Sequence, residues 1–224
     1  MQFTHEHLEI QKTLKRFIDA EINPHVDEWE AAEIFPAHEV FKKLGNLGLL
    51  GLTKPEAFGG AGLDYSYAMA MAEALGHIEC GGVPMAIGVQ TDMATPSLAR
   101  FGTHELKEQF LAPAISGQHV AAVAVTEPDA GSDAAAIRTR AVRTASGWKI
   151  NGVKRYITKA ATADFAQVMA VTDPDKGARG GISCFIVEMN TPGVTVGAAE
   201  ATMMGDAPYE LVFEDVEVPA ENLI

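Results

Sequence analysis

Apolar residues recur at helical spacing over the N-terminal part of the chain. The first such run lies between Thr4, a favoured helix N-cap, and Asn23-Pro24, which disfavours continuation of a helix. The predicted inward face of this helix carries Leu8, Leu14, Phe17, Ile18 and Ile22. The same pattern predicts further helices at 36–45, 65–75, within 83–101 and at 103–115.

The pattern changes near residue 118, beyond which apolar strand-like runs alternate with turn signals. These runs predict strands at 119–126, 139–144, 148–150, 165–172, 182–188 and 211–218. Ser146-Gly147 predicts a turn, and Asn151-Gly152 predicts a β-hairpin. We therefore predict an α+β fold, in which an N-terminal helical bundle domain, 1–118, precedes an antiparallel, β-barrel-like middle domain, 119–224.

Composition and charge limit the classes of function. With 224 residues, 47% of them hydrophobic, the chain can form a packed core, and its formal charge of −13 argues against binding to nucleic acid or to a membrane surface. Cys80 and Cys184 form no disulfide framework, the histidines lack a metal-ligand spacing, and no apolar run approaches the roughly 18 residues of a membrane span. We expect a cytoplasmic protein without a metal site, because the N-terminus also lacks a secretory apolar region.

The stretch 123–133, Val-Ala-Val-Thr-Glu-Pro-Asp-Ala-Gly-Ser-Asp, carries the strongest chemical signal. It joins a strand-like run to a loop of small residues. Gly131 lets the backbone approach a ligand, and the N–H groups around the Ser132 hydroxyl predict a concave site for a diphosphate. The three carboxylates of the stretch would repel that anion, so we expect them to point away, capping turns or pairing with cations.

Four other segments occur in order along the chain, at 54–62, 101–113, 152–158 and 211–222. Together with 123–133 they resemble the acyl-CoA dehydrogenase family, flavoenzymes that introduce a double bond next to a thioester. The resemblance covers nearly the whole chain. It implies an FAD cofactor and an acyl-CoA substrate.

The resemblance also implies which residues lie at the flavin ring. Thr126 and Thr158 would contact the isoalloxazine ring, and Val125 and Glu127 would lie beside its pyrimidine edge through their backbones. Tyr156 would pack near the ring, where the family usually places Trp. This substitution keeps an aromatic face, changes its size and adds a hydroxyl.

Two further groups of residues follow from the same resemblance. Ser132 would bind the FAD diphosphate, beside the close backbone approach that Gly131 allows. The helical segment 88–98 would line part of the acyl pocket through Gln90, Thr91, Ala94 and Leu98. The small side chain of Ala94 would leave depth for a medium or branched acyl group.

The reaction implied is α,β-dehydrogenation of an acyl-CoA thioester, with hydride transfer to flavin N5 and electrons passed to an electron-transfer flavoprotein. Family members continue into a C-terminal helical domain that carries the catalytic glutamate and most of the subunit interface. The sequence ends at Ile224, where that domain would begin, so no residue is assigned as the catalytic base. We expect the complete protein to be a homo-oligomer and the 224-residue chain alone to lack activity.

Three other functions remain open at this point. The chain could belong to an acyl-CoA oxidase, in which the flavin reacts directly with oxygen. It could also belong to a related flavin monooxygenase, without thioester recognition. A third possibility is a non-catalytic subunit that binds flavin and acyl-CoA, which the missing base favours.

Overall fold

The computed structural model describes residues 3–202 and 207–224. The α-helices of its N-terminal part are His5–Phe17 (α1), Val26–Ala32 (α2), Ala37–Asn46 (α3), Tyr65–Leu75 (α4), Gly82–Gly88 (α5), Pro96–Phe101 (α6), His104–Leu106 (α7) and Ala112–Ile115 (α8). Wider π-helical turns extend or join several of them, at Ile18–Ile22, Val89–Ala94 and Lys107–Leu111. The helices predicted within 83–101 and at 103–115 are therefore composite, each with a π turn between two α segments.

The first predicted helix is longer and less regular than its pattern indicates. It begins after Thr4 as predicted, but Asn23–His25 forms a 3₁₀ turn that leads directly into α2, so Asn23-Pro24 does not end the helical path. Leu8 is 51% exposed, and its prediction as an inward residue is wrong. The other four apolar residues of the predicted face are buried.

The strands of the C-terminal part are Ala121–Ala124 (β1), Arg140–Arg143 (β2), Gly147–Ile157 (β3), Phe165–Val171 (β4), Ile182–Glu188 (β5), Val194–Ala199 (β6) and Tyr209–Pro219 (β7). They form one curled sheet of order β1-β4-β2-β3-β7-β6, and β5 pairs with β4. The predicted α+β fold is confirmed. The sheet is mixed rather than wholly antiparallel, because β4 runs parallel to both β1 and β2.

The Asn151-Gly152 pair does not form the predicted hairpin. It lies inside the continuous strand β3, where the register against β7 shifts between Ile150 and Gly152. Gly152 adopts φ +154°, and a β-carbon there would lie 2.4 Å from Oγ1 of Thr139. The hairpin turn lies earlier, between β2 and β3, where the Thr144 N–H donates to the Gly147 carbonyl at 2.9 Å. A bulge therefore bends β3, as glycine within a strand often does.

The buried apolar residues form three core clusters. One lies among α1 to α5, and a second lies under the sheet. The third joins helices to sheet, and there Phe110 meets Phe165 edge to face with 5.2 Å between ring centroids. This junction cluster fixes the helix that contains Val89–Ala94 against β1 and β4, and so positions the segments that carry the candidate site.

We expect Gly152→Ala to destabilise the fold, because the added methyl meets both the Thr139 side chain and its backbone at a φ that L residues disfavour. The free energy of unfolding should fall by about 2 kcal/mol, measured by urea denaturation. Gly131→Ala is the matched control, since nothing lies within 4 Å of a β-carbon there and its stability should change by less than about 0.5 kcal/mol. Equal stability of Gly152→Ala and the unchanged chain would contradict the bulge assignment.

Candidate functional site

A buried carboxylate closes the loop between β1 and β2. Glu127 is 7% exposed. Its Oε2 accepts a hydrogen bond from the Arg138 N–H at 2.6 Å, and its Oε1 accepts one from the Thr139 N–H at 2.9 Å. Because Arg138 and Thr139 lie directly before β2, these bonds hold the two ends of the loop together. We call this closure, formed by Glu127, Arg138 and Thr139, the loop neck.

Lys154 of β3 completes the neck. Its side chain is fully buried, and its Nζ donates to Oε1 of Glu127 at 2.8 Å and to the carbonyl of Val125 at 3.0 Å. A fully buried ammonium group is costly unless an anion and hydrogen-bond acceptors compensate for the lost water. The ion pair therefore fixes β3 against both the end of β1 and the start of the loop.

The local environment keeps Glu127 ionised. Burial alone raises the pKa of this carboxyl, but the hydrogen bonds from Lys154, Thr139 and the Arg138 N–H outweigh burial, and the pKa lies below its ordinary value of 4.5. Burial lowers the pKa of Lys154, and the Glu127 carboxylate opposes that shift. The carboxylate is thus held as an acceptor for three donors at the neck, directed into the protein.

Beyond the neck, the loop presents its small residues to solvent. Glu127 and Ala130 exchange backbone hydrogen bonds of 2.9 and 3.2 Å, which form a tight turn, and Gly131 and Ser132 follow it on the surface. Asp129 pairs with Arg138 at 3.3 Å, and Asp133 accepts a hydrogen bond from the Ala135 N–H at 3.2 Å. The predicted capping and ion pairing are confirmed, because each of the three carboxylates binds a cation or caps a turn.

Neither the backbone conformation nor the packing around position 131 requires glycine there. The φ of Gly131 lies outside the left-handed region, and a β-carbon built on it meets no atom within 4 Å. The open side of this residue faces solvent, so the backbone is accessible to a ligand that comes closer than a methyl group would permit. This is the geometry expected of a backbone that approaches a cofactor.

A second exposed segment lies beside the loop. The Arg155 N–H donates to the Thr126 carbonyl at 2.8 Å, which places the end of β3 next to the end of β1. Tyr156 and Lys159, on either side of Thr158, have positive φ angles of 58° and 65°. Non-glycine residues at positive φ are uncommon and are concentrated at functional sites.

Three hydroxyl groups at this surface have no protein partner. Within residues 3–202 and 207–224, the hydroxyls of Thr126, Ser132 and Thr158 make no hydrogen bond to another group of the chain. Thr126 and Thr158 are half-buried, and Tyr156 is 54% exposed. The loop and the end of β3 together form a surface of unpaired donors beside an exposed aromatic ring.

Two polar side chains attach this surface to the helices. The fully buried Gln90 donates to the His119 carbonyl at 2.8 Å, and its Oε1 accepts from the Ala121 N–H at 2.8 Å. Lys159 is 2% exposed and donates from Nζ to the Ala86 carbonyl of α5 at 2.7 Å. The residue next to Thr158 is therefore bonded directly to the helix that continues into the predicted acyl-pocket segment.

The four predicted acyl-pocket residues lie together on that helix, and all are buried. Ala94 and Leu98 are fully buried in the junction cluster. Thr91 is 8% exposed, lines a cavity of about 20 Å³, and donates from Oγ1 to the Ile87 carbonyl at 3.1 Å. The amide of Gln90 is engaged with backbone groups, as described above. In this structure the four residues form an inner wall rather than the lining of a wide pocket.

Lys154 and Lys159 were not singled out from the sequence. A signal for Lys154 exists, because it occupies an inward position of an otherwise apolar strand face, between Ile150 and Ile157. A lysine at such a position implies a buried carboxylate partner. The sequence contains no comparable signal for Lys159, because its positive φ and its long-range bond to Ala86 both arise from the tertiary fold.

In the ranges 3–202 and 207–224, no group of three or more His, Cys, Asp or Glu side chains could hold a metal ion. No helix of the same part of the chain is long and apolar enough to cross a membrane.

The helical region packed on a curled mixed sheet is the fold of solved acyl-CoA dehydrogenase structures. Residues 4–118 match the family model of the acyl-CoA dehydrogenase N-terminal domain, and residues 122–216 match that of the acyl-CoA dehydrogenase middle domain. The chain therefore belongs to the acyl-CoA dehydrogenase family, which confirms the resemblance inferred from the sequence segments.

Individual relatives agree with this assignment. An acyl-CoA dehydrogenase of Bacillus subtilis is 39% identical over 227 residues, an alignment that covers 100% of this chain and 59% of that protein. The chain thus spans about three fifths of the length of that relative.

Two solved structures superpose closely on the fold. One is described as the electron transferring flavoprotein of Acidaminococcus fermentans, with a TM-score of 0.93, 36% identity, and coverage of 100% of this chain and 58% of that chain. The other is described as the FAD complex of PigA, with a TM-score of 0.92, 30% identity, and coverage of 100% of this chain and 59% of that chain.

The loop neck gives a testable pH dependence of stability. The folded-state pKa of Glu127 lies below its unfolded value near 4.5, so its contribution is fully present above that pH and is lost as the pH falls through the folded pKa. We expect Glu127→Gln to lower the Tm at pH 7 and the difference from the unchanged chain to shrink below about pH 4.5. Thermal melts followed by circular dichroism measure the difference in Tm at each pH. A difference in Tm that does not depend on pH would contradict an ionised Glu127 at the neck.

Proposed function

We propose that this chain supplies the flavin-binding surface and part of the acyl pocket of an FAD-dependent acyl-CoA dehydrogenase. The observation that carries the proposal is the junction of the loop 127–139 with the end of β3, fixed by the Arg155 to Thr126 hydrogen bond and the Lys154 to Glu127 ion pair. At this junction Thr126 and Thr158 are half-buried, and Gly131 and Ser132 are exposed, with no atom within 4 Å of a β-carbon built on Gly131. The FAD complex among the structural neighbours supports FAD as the ligand.

In this proposal the chain's own groups bind and orient FAD, which when bound supplies the acceptor for a hydride. Gly131 and Ser132 hold the diphosphate through backbone N–H groups and a hydroxyl. Thr126 and Thr158 donate hydrogen bonds at the ring, and Tyr156 packs beside it. Val125 and Glu127 lie beside the ring through their backbones, and the Glu127 side chain is directed away because Lys154 already binds it.

The substrate and partners follow from the same proposal. Acyl-CoA binds against the helix that carries Gln90, Thr91, Ala94 and Leu98, and electrons leave to an electron-transfer flavoprotein, the protein named for one structural neighbour. The proposed division is a helical domain at 1–118 and a flavin-binding domain at 119–224 of a cytoplasmic homo-oligomer. None of the three loop carboxylates is proposed as the base that removes the α proton, because Glu127, Asp129 and Asp133 are each engaged by other groups.

The first test of this proposal is FAD binding by the 224-residue chain, followed by flavin fluorescence. Ser132→Ala removes a hydroxyl donor to the diphosphate and should raise the Kd about tenfold. Gly131→Ala should raise the Kd by a similar factor of about ten with unchanged stability, because its methyl meets only the ligand. A chain that binds no FAD would contradict the proposal.

The second test concerns the flavin ring. In this proposal the hydroxyls of Thr126 and Thr158 donate to the part of the ring where negative charge accumulates on reduction, so they should favour the reduced form. Thr126→Val and Thr158→Val should each lower the midpoint potential of bound flavin by about 20 mV, which corresponds to about one hydrogen bond for a two-electron couple. Spectroelectrochemical titration measures the shift. Thr162→Val is a control, because its hydroxyl donates to the Lys159 carbonyl at 3.3 Å instead.

A further inference from the structure

The loop 127–139 carries an electrostatic conflict at its first residue. A loop proposed to bind a diphosphate begins with Glu127, in a chain of formal charge −13. The turn from Glu127 to Ala130 brings this residue's backbone within one hydrogen-bonded turn of Gly131. If its carboxylate turned toward solvent, it would face the same region as the ligand and would repel it. Something must therefore hold this side chain inward.

The groups that hold it differ in how much they depend on charge. The N–H groups of Arg138 and Thr139 are fixed by the backbone and carry no formal charge, so each can donate to a neutral oxygen as well as to a carboxylate, although an amide offers one oxygen where Glu127 offers two. Lys154 brings a full positive charge directly to the carboxylate, 2.8 Å from Oε1 of Glu127 and without solvent exposure, whereas the exposed Arg138 guanidinium pairs with Asp129. The second bond of Lys154, to the Val125 carbonyl at 3.0 Å, orients the peptide that precedes Thr126.

We propose that Lys154 is a positioning residue for the anion site, which holds the Glu127 carboxylate at the loop neck and away from the diphosphate. This inference rests on the proposed function. It adds that a lysine of β3 neutralises the carboxylate at the start of the loop. Without the ammonium group, the buried Glu127 carboxylate lacks its cation, and its free energy becomes lower in water than at the neck. It would then turn outward, toward the side where the ligand binds. The Glu127 carboxylate is then no longer neutralised by Lys154, so the ligand meets one more uncompensated negative charge.

A charge role and a packing role predict opposite results for one pair of substitutions. Lys154→Met removes the cation and should raise the Kd for FAD about tenfold. Glu127→Gln removes the anion while Lys154 remains, so the Kd for FAD should fall by about threefold. The double variant removes both charges and should bind more tightly than Lys154→Met alone. If the pair served only to pack the loop, each substitution would weaken FAD binding and the double variant would bind as weakly as the worse single variant.

A second ligand separates charge from shape. Riboflavin has the same ring as FAD and carries no phosphate, so Lys154→Met should weaken FAD binding more than riboflavin binding. Lys149→Met is the matched control, since this half-exposed lysine lies on the same strand, 3.8 Å from Asp215, beyond the bulge. Its Kd for FAD should change by less than about twofold. All titrations are made below the Tm of each variant.

Each result decides the proposal. Weaker FAD binding by Lys154→Met with tighter binding by Glu127→Gln supports it. Weaker binding by Glu127→Gln, or an equal loss for FAD and riboflavin in Lys154→Met, overturns it and leaves FAD binding by the unchanged chain intact. If Lys154→Met does not fold, the sign of the Glu127→Gln effect decides alone. If the unchanged chain binds no FAD, the proposed function fails, and this inference fails with it.

Discussion

The burial of one carboxylate is the constraint on which the candidate site depends. An ionised group removed from water must be compensated by hydrogen bonds and opposite charge, and Glu127 receives both from three donors in two separate segments of the chain. Those donors come from the residues before β2 and from β3. The carboxylate is therefore compensated only when the loop, β2 and β3 are correctly positioned. The rest of the loop can be exposed and polar because the hydrogen bonds of Glu127 at the neck hold its two ends together.

The same logic operates where the helices meet the sheet. In the π turn Val89–Ala94 the backbone departs from regular α-helical bonding, and side chains from other elements donate hydrogen bonds to its carbonyl groups. Lys54 donates to the Thr91 carbonyl at 2.7 Å, and Gln167 of β4 donates to the Ala94 carbonyl. With Gln90 and Lys159, these buried polar contacts give the helix–sheet junction a specific alignment that apolar packing alone leaves less defined.

Local signals accounted for most helices and strands, because helical spacing, caps and β-branched runs act over a few residues. The helix at 65–75 and the strand at 182–188 have the predicted bounds. Features set by distant contacts were not predicted. The local sequence Asn151-Gly152 predicts a turn, yet these residues pair with β7 and form a bulge. The parallel pairing of β1 with β4 has no signature within either strand. The buried lysines belong to the same class, since their partners are remote in sequence.

The strained backbone at the end of β3 links these constraints to ligand binding. Tyr156 and Lys159 are held at positive φ, which costs an L residue about 1 kcal/mol or more. Lys159 is compensated by its buried bond to α5, whereas Tyr156 is 54% exposed and gains little from the protein itself. Its conformation turns the ring outward beside Thr158, and the surrounding bonds at Arg155 and Lys154 keep it there. Backbone strain of this kind is concentrated at functional sites, and an exposed aromatic ring in such a conformation agrees with the proposed contact to a flat, polar-edged ligand.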